Sequence, residues 1–450
     1  MSVFNTKHLH RSYTEPGLRS RWQQWLVHPW FLPAVFVSGL GLRLATVVVF
    51  PLTPVSDSAW YLARAQELST GLGYQKDGFP TAYWPVGWPA ILAGGLLLTG
   101  NPAVAIPALN LLAASATMAL ILWFGRWVLN DEYVGRLGLL IYALYPNHIA
   151  YTGAAATEVV YTAIVLAAFY ALIRWRHSAL FAIVSGVLFG VATLVKPQTY
   201  LFPIGAIVAL LLVYRNYSWR STLGIGLLLY CALFAIVLPW SFRNSQVFGE
   251  FVLVSTNGGA ALLIGANDNL TGDHIALEET PAYRDLGIPW GERVARQIEL
   301  DKAQRSAAIQ WIKNNTARYV MWMPRKVIML WRKDTDGFWA FDETYPQAYR
   351  TVLGIQIANQ AYYVLILLFA VPCAVVALRA LIQRNDDRLP LALLFCMPMF
   401  VSLLAAVFSG QVRYHFPAMP FLVLAAAWTL RSVAQQRASM NFSRGNAALP

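Results

Sequence analysis

Residues 30–61 read WFLPAVFVSGLGLRLATVVVFPLTPVSDSAWY: an apolar run over 30–51, a proline-flanked turn, and then Asp57. About 20 mostly apolar residues are what the hydrocarbon core of a bilayer requires of a spanning helix. Further runs of this kind lie at 103–124, 134–150, 156–173, 179–195, 200–214, 221–240, 353–378, 390–408 and 415–431. Segment 85–99 is shorter and rich in Pro and Trp, and reads as a helix lying at the interface or half-entering it. The pattern predicts an all-α polytopic membrane protein with about ten transmembrane helices.

Composition agrees with that class. The 450 residues are 57% hydrophobic and 12% charged, with mean hydropathy +0.48. Soluble chains carry about twice that charged fraction. The net charge of +12 is spread between apolar spans rather than gathered on one face, which argues against nucleic acid as a partner. Cys231, Cys373 and Cys396 all fall inside apolar runs and form no disulfide framework or CxxC spacing. Residues 1–29 are basic and precede an apolar span longer than a signal-peptide core, with no small-residue cleavage site following, so the first span reads as a retained helix.

Basic residues orient the spans. With the N-terminus inside, the inside segments hold Lys7, Arg11, Arg19 and Arg21, then Arg126 and Arg136, then Arg174 and Arg176, then Arg215 and Arg220. Arg379, Arg384 and Arg388 follow, and finally Arg431, Arg437 and Arg444. The short connections on the other side, 151–155, 196–199 and 409–414, carry only Lys196 and Arg413. The positive-inside rule thus predicts an inner (plasma) membrane protein with both termini cytoplasmic. The expected divisions are a basic N-terminus, 1–29, and a transmembrane module, 30–240, with a first exofacial loop at 52–88. A large exofacial loop, 241–352, C-terminal helices, 353–432, and a tail, 433–450, complete the chain. Apolar residues from Val294 to Met323 recur at helical spacing, predicting an amphipathic helix on the membrane surface.

Charges on the outer side are the candidates for chemistry. Asp57 is either a helix N-cap or a carboxylate placed where a lipid head group meets a polar acceptor. Glu158 opens an apolar segment, where an acid faces a cavity or a partner. Lys196, Arg243 and Arg413 either snorkel to the interface or form a phosphate clamp. Tyr83-Trp84-Pro85 is an aromatic belt or the wall of a sugar pocket. His148 and His415 read as satisfied interface groups, since none of the seven His has metal-ligand spacing. No cofactor is called for; Asp57 with Glu158 could hold a divalent cation.

These pieces together resemble the GT-C glycosyltransferases, in particular bacterial relatives of the protein mannosyltransferases and of the lipid A aminoarabinose transferase. The resemblance runs from about Arg43 to Leu424. It rests on Ser56-Asp57 to Tyr61, Thr157-Glu158, Leu194-Val195-Lys196-Pro197 and Pro239-Trp240-Ser241-Phe242-Arg243-Asn244. It continues in Ser255-Thr256-Asn257-Gly258-Gly259 and Arg413-Tyr414-His415-Phe416-Pro417. The resemblance implies a polyprenyl-phosphate-linked sugar donor and inverting transfer on the exofacial side to a glycan, lipid or protein acceptor. It implies Asp57 as base with Glu158 beside it, and Lys196, Arg243 and Arg413 as carrier-phosphate contacts. Tyr61, Tyr83, Trp84, Asn257, Tyr414 and His415 are the candidates for the substrate pocket. Ser58 stands where family members often carry a second acid. The rival classes are a secondary transporter or lipid-linked-glycan flippase using Asp57 or Glu158, and a scaffolding membrane protein.

Overall fold

Among the described residues six helices are long and apolar enough to cross a membrane: Phe31–Val49, Pro102–Trp127, Trp219–Phe248, Pro346–Gln383, Leu389–Val407 and Val412–Gln436. A seventh crossing results if Pro146–Gly153 and Glu158–Arg174, bent by 116° at their break, count as one. Gly87–Thr99, Ala179–Val195 and Pro197–Val213 are apolar but shorter. The structure, a computed structural model, describes residues 21–175, 178–214, 218–273 and 275–446. Of the orienting cations, Lys7, Arg11, Arg19, Arg176 and Arg215 lie outside the described residues. The chain is a multi-pass membrane protein; among the described residues six helices, or seven with the bent pair, have the length and apolarity of a full span, where hydropathy suggested ten.

Proline breaks explain part of the difference. The expected span 134–150 divides into Glu132–Ala143 and Pro146–Ala150. Pro146 has no N–H to continue the ladder, so it can only start a new helix. Arg43, wholly buried in the first span, donates to Ala143 O at 2.9 Å and Tyr142 O at 3.3 Å. It thereby satisfies the Ala143 carbonyl at the end of the Glu132–Ala143 helix, and adds a second donor to Tyr142 O, which also accepts from Tyr145 N (3.2 Å). The Trp219–Phe248 helix runs past residue 240 to a left-handed Gly249 (φ 68°), so Arg243 lies inside it rather than after it.

The two long segments pack on each other. The first contains the helix Ser56–Ser69 and a hairpin pairing Gln75–Lys76 with Phe79–Pro80. Thr256 N donates to Ala82 O (2.8 Å), while Gln297 accepts from Ala82 N (2.8 Å) and donates to Pro80 O (3.1 Å). The amphipathic region is two helices, Gln297–Asn314 and Thr316–Trp331, broken at Asn315. Leu300 and Ala308 bury their face against Leu263, Ala266, Tyr283 and Ile288, so this stripe packs within the protein. At the far end of the bundle Arg136 donates to Leu26 O (2.8 Å) and Arg431 pairs with Asp131 (2.6 Å), gathering the basic helix ends together.

Candidate active site

The Ser56–Ser69 helix starts abruptly. Ser56 has φ 45°, and the N-cap is Val55, with no side-chain cap bond. A left-handed serine costs about 1–2 kcal/mol, and strain of this kind is a mark of functional turns. Asp57 therefore sits in the first helical turn, where the helix dipole favours its charge, and is not the cap. Its Oδ2 accepts a 2.6 Å bond from Arg413 Nη1, with the two side chains 21% and 31% exposed. Arg413 lies on the 3-10 helix Val412–Ala418, and its Nε is buried with no hydrogen-bond partner among the described residues. A buried guanidinium donor left open is a place for a further acceptor.

The second pair lies alongside. Glu158 begins its helix just after the 116° bend and is 3% exposed. Its Oε1 accepts from Lys196 Nζ at 3.1 Å and its Oε2 from Thr157 Oγ1 at 3.2 Å. Lys196 is the C-cap of the Ala179–Val195 helix, where Pro197 forbids continuation and the dipole favours a cation. Its ammonium lies 5.5 Å from the Tyr161 ring and 5.6 Å from the Tyr414 ring, and Arg413 lies 6.0 Å from Tyr414. Tyr414 thus joins the two pairs. Two acids and two cations make the cluster neutral, which is what lets it sit at such depth.

Aromatic rings wall one side. Trp84 lies 5.3 Å from Trp60, 5.5 Å from Tyr61 and 6.1 Å from Tyr83 between centroids. Burial pushes the Tyr83 hydroxyl up to about 12, so it stays a protonated donor. Gly87 lets this wall meet the end of the Lys196 helix: a Cβ there would come within 2.5 Å of the Leu194 backbone. Trp88, fully buried, donates to Ala155 O (3.1 Å), tying the same loop to the turn before Glu158.

Two expected site residues are committed elsewhere. Arg243 donates to Thr81 O and Tyr74 O (3.0 Å each) and to Asn244 Oδ1 (3.1 Å), and stacks on Trp240 (4.8 Å). It pins the hairpin loop. His415 is wholly buried between the rings of Trp331 and Tyr363, with Nδ1 at Leu330 O (2.8 Å) and Nε2 at Asp334 Oδ1 (3.1 Å). His148 is likewise a core group, stacked 3.7 Å from Phe416. Asn257, half-buried ahead of the Gly258–Ile264 helix, accepts from Ser255 Oγ (2.7 Å).

Asp334 and Asp336 escaped the sequence reading. Asp334 accepts from Tyr145 OH, from Asn147 Nδ2 (2.6 Å) and from His415, and its own carbonyl accepts from Asn359. Asn147 also accepts from Gly337 N (2.8 Å). This buried network braces the loop 334–337 against the helix that carries Arg413. Asp336 is raised above the usual carboxylate range by burial, although Arg413, Lys333 and His415 oppose the shift, so its carboxyl shares the field of the cluster. The only sequence signal was Asp334-Thr335-Asp336-Gly337, which also reads as an ordinary polar turn.

Residues 84–241 match the family described as dolichyl-phosphate-mannose-protein mannosyltransferase. The apo oligosaccharyltransferase of Archaeoglobus fulgidus superposes with TM-score 0.52 at 11% identity, over 94% of this chain and 52% of that one. The archaeal oligosaccharyltransferase AglB from the same organism, in complex with an inhibitory peptide and a dolichol-phosphate, gives 0.50 at 11% identity, over 96% and 53%. The chain has the GT-C fold. It spans about half the length of these two oligosaccharyltransferases. ArnT from Cupriavidus metallidurans bound to undecaprenyl phosphate superposes at TM-score 0.45 and 14% identity, over 87% of this chain and 78% of that one. No curated protein matches the sequence. The family match takes in Trp84, Glu158 and Lys196, while Asp57, Arg243 and Arg413 lie outside it.

Proposed function

We propose that the chain is a glycosyltransferase that moves a sugar from a polyprenyl-phosphate-linked donor to an acceptor hydroxyl, with inversion, on the exofacial side of the inner membrane. The observation that carries this reading is Asp57 bound to an arginine whose Nε is still open, beneath an aromatic wall. The archaeal fold relative that binds a dolichol-phosphate supports a lipid-phosphate carrier. The donor phosphate takes Arg413 Nε and the Lys196 ammonium, competing with their present acid partners. Asp57 Oδ2, relieved of Arg413, is then open to the acceptor hydroxyl. As the acceptor oxygen bonds the anomeric carbon, its proton passes to Asp57, and the carbon–oxygen bond to phosphate breaks with its electron pair. A phosphodiester is a weak base, so no general acid is needed. Trp60, Tyr61, Tyr83, Trp84 and Tyr414 wall the sugar, and the 334–337 loop closes the acceptor side. Both termini are then cytoplasmic, and the cluster faces outward.

The experiment is mass spectrometry of purified protein with polyprenyl-phosphate sugars and candidate acceptors. The reading predicts free polyprenyl phosphate formed together with glycosylated acceptor. Movement of lipid-linked sugar across proteoliposomes without any cleavage would contradict it and favour a flippase.

A further inference from the structure

At the far end of the Tyr349–Gln383 helix lies a second feature, away from the cluster. A cavity of about 230 Å³ is lined by Val376, Arg379, Ala380, Gln383, Asn385 and Arg388. Arg384 ends the helix in a left-handed turn (φ 57°), and the N–H groups of Arg384 and Asn385 both return to Ala380 O. That turn brings Arg388 back to face Arg379. Neither guanidinium has an ion-pair or side-chain hydrogen-bond partner among the described residues, although Asp386 and Asp387 stand in the same turn. No acid lines the cavity.

Beside Arg379 runs an apolar stripe. Val371, Val375, Leu378 and Ile382 recur at spacings of four, three and four, share one helix face and are all exposed, Ile382 at 72%. Asn359, which binds the Asp334 loop, precedes Gln383 by 24 residues on one helix, so about 36 Å separates the two at about 1.5 Å per residue. That is roughly the thickness of a bilayer. The cavity therefore opens at the membrane face opposite the Asp57–Arg413 cluster.

We propose that this cavity binds the phosphate head group of an anionic membrane phospholipid, whose acyl chains lie along the Val371–Ile382 stripe. The two guanidiniums supply charge-assisted bonds to the phosphate, Gln383 and Asn385 supply neutral donors, and the stripe supplies apolar contact. The inference does not depend on the transfer reading.

The test uses the full chain in a zwitterionic detergent, with lipid retention read by native mass spectrometry. Phosphatidylglycerol should be retained, and phosphatidylcholine should not. Arg379→Gln with Arg388→Gln should weaken phosphatidylglycerol binding on the order of tenfold or more. Asp386→Asn with Asp387→Asn should strengthen it, which keeps the proposal testable if the arginine variant folds poorly. Inorganic phosphate at matched concentration should not displace the lipid, because it lacks chains. Equal retention of both lipids, unchanged binding in the arginine variant, or displacement by phosphate alone would each overturn the proposal.

Discussion

Lys196→Met probes the more deeply buried pair. It leaves Glu158, 3% exposed, with Thr157 Oγ1 at 3.2 Å as its remaining side-chain donor. Breaking a buried ion pair by removing one partner costs about 3–5 kcal/mol. Lys196 is itself only 15% exposed, so solvent does little to soften that figure. The double variant Lys196→Met/Glu158→Gln removes both charges and should recover most of the loss, a coupling on the order of 2 kcal/mol. Thermal unfolding of the two single variants, the double variant and the parent in one detergent measures it. The stabilised double variant then isolates the binding role. If Lys196 contacts carrier phosphate, polyprenyl-phosphate affinity should fall about 10–150-fold, the equivalent of about 1.5–3 kcal/mol for one charged hydrogen bond. A Lys196→Met protein as stable as the parent would refute the buried pairing. Parental affinity in the double variant would remove Lys196 from the carrier site.

Arg243→Gln should loosen the 74–81 loop by about 1–3 kcal/mol, seen as faster hydrogen exchange there, and leave donor affinity unchanged. A tenfold loss of affinity with normal exchange would return Arg243 to the phosphate site. Lys326 is buried, donates to Val407 O (3.2 Å), and is lowered by burial to about 8 from 10.5. Between those values the unfolded chain binds more protons than the folded one, so stability should rise as pH increases from about 8 to 10.5. Thermal unfolding across that window should show the rise in the parent and a flatter line in Lys326→Met; identical slopes would refute the burial argument.

The apolar runs and the charges between them were legible because spanning helices and isolated charges leave local signals. The pairing was not. Asp57 and Arg413 are 356 positions apart, and Glu158 and Lys196 are 38 apart, so no periodicity links them. Proximity in sequence also misled: His415 stands two residues from Arg413, but in a 3-10 helix that is about 240° of rotation, which turns it to the core. Arg243 read as a free cation because the span seemed to stop at 240, and the carbonyls it binds belong to a loop some 160 residues earlier (|i−j| of 162 and 169). The amphipathic stretch read as one helix. Asn315 Nδ2 bonds Trp311 O and Thr316 Oγ1 bonds Ile312 O, local bonds that compete with the backbone ladder at the break.

The central claim is that Asp57 takes the acceptor's proton. Asp57→Asn keeps the size and can still accept from Arg413, and no N-cap is lost, because Val55 holds that position. The measurement is transfer of labelled sugar from polyprenyl phosphate to acceptor, with donor binding and thermal unfolding followed on the same preparation. The account predicts a protein that folds and binds donor while turnover falls about 100-fold or more. Turnover near the parental rate in a folded Asp57→Asn protein would contradict it and leave Glu158 as the remaining base.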